Sequence, residues 1–152
     1  MLSYLRYSTG VLLMLKFKYI LSAITLMMAQ TAFADPNLAS YYTTIGREDF
    51  YNSNGGPLKD VGAVVQQDRA NFHRFGLRHS GDEADPYFGD QTMRAKIPDL
   101  VRAGGVDQYL KKLLGSGWPG HSQTWLIQIC GTPGRVTHLR IDPADGDGYS
   151  DC

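Results

Sequence analysis

The sequence predicts an exported α+β domain, with N-terminal helices packed on a C-terminal antiparallel β-hairpin or small sheet. Three observations predict it. Apolar residues recur at three- and four-residue steps through the middle of the chain. They alternate at two-residue steps from Trp125 to Ile141. The first 34 residues read as a removable leader. Helical periodicity followed by strand periodicity, with no interleaving, places helices over one face of a terminal sheet.

The leader comes first. Lys16 and Lys18 supply a charged start, residues 19–29 are a short apolar run, and Ala32-Phe33-Ala34 is a small-x-small cleavage pattern. Met14 opens a complete bacterial-type signal, which makes it a better start than Met1. The run is shorter than the ~20 residues that a membrane span needs. Cleavage after Ala34 leaves a single domain, residues 35–152, of 118 residues, and predicts a periplasmic or secreted location.

Loss of Arg6, Lys16 and Lys18 leaves 12 basic against 15 acidic side chains, a net charge of −3. That balance gives no footprint for nucleic acid, and no membrane attraction after cleavage. Cys130 and Cys152 are the two cysteines, and an even count in an exported chain predicts a disulfide between them.

Leu38, Tyr41, Tyr42 and Ile45 fit one face of a helix that Gly46 would stop. A short strand over 41–45 is the alternative, because Tyr, Thr and Ile also favour sheets. Pro57 suits the first position of the clearest helix. Its stripe is Leu58, Val61, Val65, Phe72 and Phe75, and Gly76 is its left-handed cap. Residues 77–89 read as an ordered loop anchored by Tyr87 and Phe88.

Asp90 caps the next helix, which Pro98 kinks or restarts. Gly104-Gly105 breaks it. Val106, Tyr109, Leu110, Leu113 and Leu114 form a further stripe before Gly115. The hairpin follows. Pairing Ile129 with Thr137 and Ile127 with Leu139 gathers the apolar residues on one face, with a loop of three or five residues.

One position breaks the pattern. The long stripe calls for an apolar residue at 68 and the sequence supplies Asp68, with Arg69 beside it. A buried carboxylate without a partner is costly. Asp68 is therefore expected to hold Arg47, Arg78, Arg94 or Arg102, or to tie down a loop. The functional alternative is a carboxylate facing a cleft.

Three constellations bear on chemistry. His73 and His79 lie near Asp82, Glu83, Asp85 and Asp90, which are ligand types suited to a divalent metal. The tail carries Asp145-Gly146-Asp147-Gly148 and then Asp151. This resembles the calcium loops of EF-hands and thrombospondin type 3 repeats, and calcium is the one cofactor it implies. It departs from them at Pro143, where the pattern wants a third acid. Finally, Ser80 and Ser122 adjoin histidines, but no nucleophile motif surrounds either.

These features predict a non-catalytic domain that binds a protein or small ligand. Its contact residues would be Asp68, Arg69, His73, Arg74, Arg78, His79, Trp118 and His121, with 118–121 an exposed loop. The competing reading is a metal-assisted hydrolase using His73, His79 and nearby carboxylates. A third is a structural module with Asp145, Asp147 and Asp151 around calcium.

Overall fold

The computed structural model describes residues 35–146 and 151–152. The chain divides into units Met1–Ala34 and Asp35–Cys152, and the described fold belongs to the second. The leader, the Met14 start and Asp147 of the acidic tail lie outside the described residues. Among the described residues no helix is long and apolar enough to cross a membrane.

The first element is a strand, β1 (Asn37–Ile45), and not the helix that its apolar spacing suits. The reason lies at Thr43. Tyr41, Thr43 and Ile45 all point inward and are almost fully buried. Thr43 is polar, so the two-residue alternation is hidden in the sequence. Its hydroxyl is satisfied inside by Asp68.

Strand β1 pairs antiparallel with β3 (Gln123–Thr132), setting Tyr41 opposite Ile127 and Thr43 opposite Trp125. β3 pairs antiparallel with β4 (Arg135–Pro143). A two-residue strand, β2 (Gly105–Val106), joins β4 in parallel. The result is a mixed α+β fold with a four-stranded sheet in the order β1-β3-β4-β2.

The hairpin register differs from the expected one by two residues. Ile129 faces Leu139, and Ile127 faces Ile141. A two-residue shift leaves every side chain on its expected face, so hydrophobicity alone does not separate the two registers. Thr132 pairs with Arg135, leaving Pro133-Gly134 as a two-residue loop where three or five were expected. Pro then Gly suits a turn whose second central residue has positive φ, and Gly134 has φ +82°. A bulge between Cys130 and Gly131 supplies twist that such a turn lacks.

Helix α1 (Val61–Ala70) starts later than Pro57, because Asp60 caps it by accepting the Ala63 N–H at 3.0 Å. Pro57 instead bridges to Tyr51. The helix continues as a π-helical turn, Asn71–Phe75, and ends at Gly76 with φ +68°, in the left-handed region as expected.

Helices α2 (Gln91–Ala95) and α3 (Ile97–Ala103) meet at Lys96, and Pro98 sits in the first turn of α3, where its missing N–H costs nothing. α3 lies against both α1 and β4. Gly104 allows the chain to pass the Leu139 carbonyl, which a Cβ would strike. Helix α4 (Gln108–Gly115) buries Leu110 and Leu114.

The core forms where these helices meet Tyr41, Ile45, Trp125, Ile127, Ile129, Leu139 and Ile141 of the sheet. Leu126, Gln128 and Cys130 alternate with them and are buried too. Cys130 is bonded to Cys152, with Cα atoms 5.5 Å apart, so the chain terminus is fastened to β3.

Candidate functional site

Asp68 is buried on the inner side of α1, as its place in the stripe predicts. Its cation is a correction to the expected set. It is Arg69, the next residue, whose Nε–H donates to Asp68 Oδ2 at 2.8 Å. Arg47 is exposed, and the other three are engaged elsewhere. Arg94 donates to the carbonyls of Phe88 and Gly89, both at 2.7 Å. Arg102 pairs with Asp99. Arg78 lies 4.1 Å from the Phe72 ring centre.

The rest of the Arg69 guanidinium is also occupied. It donates to Thr43 Oγ1 at 2.7 Å, to the Glu83 carbonyl at 3.0 Å and to Asp85 Oδ2 at 3.3 Å. Its faces lie 4.5 Å from the ring centres of Tyr41 and Phe72. Burial pushes the Asp68 carboxyl up, against the pull of Arg69. Burial also works against the Arg69 charge, but the negative groups around it outweigh that and raise its pKa.

Asp85 closes the network from the loop side. It takes His73 Nε2 at 2.7 Å and the Tyr87 N–H at 2.9 Å, and it also accepts the Phe88 N–H. Burial alone would raise its pKa, but the hydrogen bonds from His73 and the two backbone N–H groups hold it below the ordinary value. Phe88 is thereby fixed in the core, as the expected anchor of the loop.

The other loop acids have a separate task. Glu83 accepts the Tyr42 N–H at 2.9 Å, and Asp82 accepts the Thr44 N–H at 2.7 Å. These are outward-facing donors of β1, an edge strand, so the acids occupy backbone groups that would otherwise invite another chain. Asp82 also accepts the His79 N–H at 2.6 Å.

His79 pairs with Glu48 at 2.9 Å and crowds Gly46, whose missing Cβ makes room for the ring. Next to it Asp49 is fully buried, accepting the Gly46 N–H and the Asn71 amide, each at 2.8 Å. Burial, and then the charge of Asp68, raise its pKa from the ordinary 3.8 to about 7.

The expected contact residues therefore do not form one cluster. Asp68, Arg69 and His73 join one internal network. Arg74 and Arg78 are exposed, with Arg74 5.0 Å from the Phe75 ring centre. His79 belongs to a different pair from His73. Among the described residues no group of three or more His, Cys, Asp or Glu is arranged to hold a metal ion. Trp118, expected on an exposed loop, is half-buried edge-on against Phe50 at 5.1 Å. A loop Trp next to a fully buried Phe50 gains more from burial than from display.

His121 is exposed and borders an open cleft of about 670 Å³. Tyr109, Gln123, Thr124, Pro143 and Asp145 border it too. Gln123 donates to the Tyr109 hydroxyl at 3.0 Å and lies 3.4 Å from His121 Nε2. Thr124 meets Thr44 at 3.4 Å, and Thr44 donates to the Ser80 carbonyl at 3.3 Å. The loop after α1 and the loop before β3 thus reach the same end of the sheet.

Sequence reasoning missed Tyr109, Gln123 and Thr124. Tyr109 falls within the apolar stripe of α4 but is 53% exposed. Tyrosine carries both an apolar body and a polar tip, so the stripe does not tell which way it faces. No protein-family model, curated protein or solved structure matches the chain.

Proposed function

We propose that this is an exported, non-catalytic domain that binds a protein or small ligand at the end of its sheet carrying His79 and His121. The observation that carries the reading is the division of polar groups. The side chains best suited to chemistry, Asp68, Arg69, Asp85 and Asp49, are buried and bonded to one another or to backbone. Exposed polar and aromatic groups, Tyr109, His121 and Thr124, border instead an open cleft at the end of the sheet where Thr44 of β1 meets Thr124 of β3. Loops held by a rigid scaffold are where binding residues concentrate.

Export follows from the leader pattern, and the Cys130–Cys152 bond suits an oxidising compartment. The test is capture of partners from a periplasmic or culture extract by the wild type and by a His79→Ala/His121→Ala/Tyr109→Ala variant. The reading expects the captured set to shrink. An unchanged set in a folded variant overturns it. The competing hydrolase reading requires His73 and His79 to share a metal, and elemental analysis finding stoichiometric zinc, lost in His73→Ala, would favour it.

A further inference from the structure

We infer that the cleft beside Tyr109 takes a neutral, polyhydroxylated ligand, a sugar unit of an oligosaccharide. The inference rests on the preceding reading of the sheet end as the contact surface, and adds the ligand class. The cleft, at about 670 Å³, lies in the range of small-molecule sites.

Its charge favours neither an anionic nor a cationic ligand. Among the described residues no Lys or Arg borders it, and the carboxylate of that lining is Asp145. A phosphate, sulfate or carboxylate would meet the Asp145 carboxylate, and the one basic side chain in the described lining is the exposed His121 imidazole, so an anion gains little. A cationic ligand gains little, because Asp145 is exposed and a solvated ion pair contributes at most about 1 kcal/mol.

Its hydrogen-bonding groups favour hydroxyls. The Tyr109 hydroxyl accepts from Gln123 and so has its own proton to donate. Gln123 Nε2 is committed to Tyr109, and its Oε1 is an acceptor. Ser122 and Thr124 add hydroxyls that both donate and accept. A row of groups with mixed polarity matches ligand hydroxyls, which do both, better than a ligand that only donates or only accepts.

Its apolar surface is flat. The Tyr109 ring is half exposed, and its bond to Gln123 fixes its orientation before any ligand arrives. Pro143 supplies a second rigid apolar surface on the same cleft. A sugar ring, with C–H groups on its faces and hydroxyls at its rim, is complementary to such a platform. A fixed platform also reduces the ordering cost of binding.

The test is an NMR titration of the purified protein with neutral probes: maltohexaose, cellohexaose and chitohexaose. Sialyllactose serves as the anionic counterpart and hexalysine as the cationic one. The inference expects at least one neutral oligosaccharide to shift the amides of Tyr109, Gln123 and Thr124, and sialyllactose and hexalysine to leave them unmoved. Tyr109→Ala should weaken binding about tenfold, and Tyr109→Phe, which keeps the ring, by less. Shifts with hexalysine or sialyllactose alone overturn the ligand class and leave the sheet-end reading standing. No shift with any neutral probe, while partner capture still depends on His79 and His121, overturns the sugar site alone.

Discussion

Arg69 neutralises its own neighbour in the chain. Its Nε–H reaches Asp68 Oδ2 at 2.8 Å although both side chains leave the same helix. Consecutive helical residues point roughly 100° apart and do not ordinarily face each other. Arginine is long enough to fold back, and Thr43 of β1 completes the arrangement by accepting from the guanidinium while donating to the carboxylate. One hydroxyl of the sheet thus joins both charges of the helix.

Thr43 tests that link without altering shape. Thr43→Val removes the hydroxyl and keeps the volume. It leaves part of the Asp68 carboxylate and one guanidinium N–H without a partner in a buried place. The expected loss is about 1–3 kcal/mol of unfolding free energy, read by urea denaturation with an unchanged m-value. A change below about 0.5 kcal/mol would mean that the hydroxyl is a bystander.

Asp49 predicts a pH dependence of a definite sign. Its folded pKa, about 7, lies above the ordinary 3.8. Over that window the unfolded chain releases the proton and the folded chain keeps it. The contribution to stability therefore falls as pH rises through the window, with a slope of at most about 1.4 kcal/mol per unit, and is flat above it. Asp49→Asn removes this component whatever its constant offset. The difference in unfolding free energy, wild type minus variant, measured from about pH 4 to 8, should fall as pH rises, whatever its value at pH 4. Parallel profiles would show that Asp49 titrates normally.

The disulfide is predicted to contribute through the unfolded chain. It closes a separation of 22 residues. Cys152→Ala should cost roughly 3 kcal/mol in the chain-entropy view, and reduction of the wild type should cost a similar amount. A denaturation midpoint unmoved by either change would mean that the tail is fastened by other contacts.

How much of this was legible in the sequence depends on what each residue's neighbours had to decide. Asp68 stood out because its stripe needed an apolar residue, and burial of a charge was readable from that alone. Its partner was not readable, since reach and rotamer choose Arg69 over four arginines more distant in the chain. The cap at Asp90 and the stop at Gly76 rest on local backbone chemistry and are visible locally, whereas Pro57 drew the start of α1 away from its true cap, Asp60.

Strand β1 was ambiguous because one polar inward residue, Thr43, erased its alternation. The hairpin register was undetermined because two registers two residues apart bury the same side chains. The cleft was invisible for a different reason. It is made of ordinary polar residues from α4, β3 and the end of β4, and only the fold assembles them.

The most direct measurement is the unfolding free energy of Arg69→Met, set beside the amide spectrum of the Tyr109 cleft. If the buried network is scaffold, the variant loses about 3–5 kcal/mol, because Asp68 and Asp85 are left without their cation, while cleft resonances of the folded fraction stay in place. A variant as stable as the wild type, with cleft resonances displaced, would show that Arg69 serves the contact surface and not the fold.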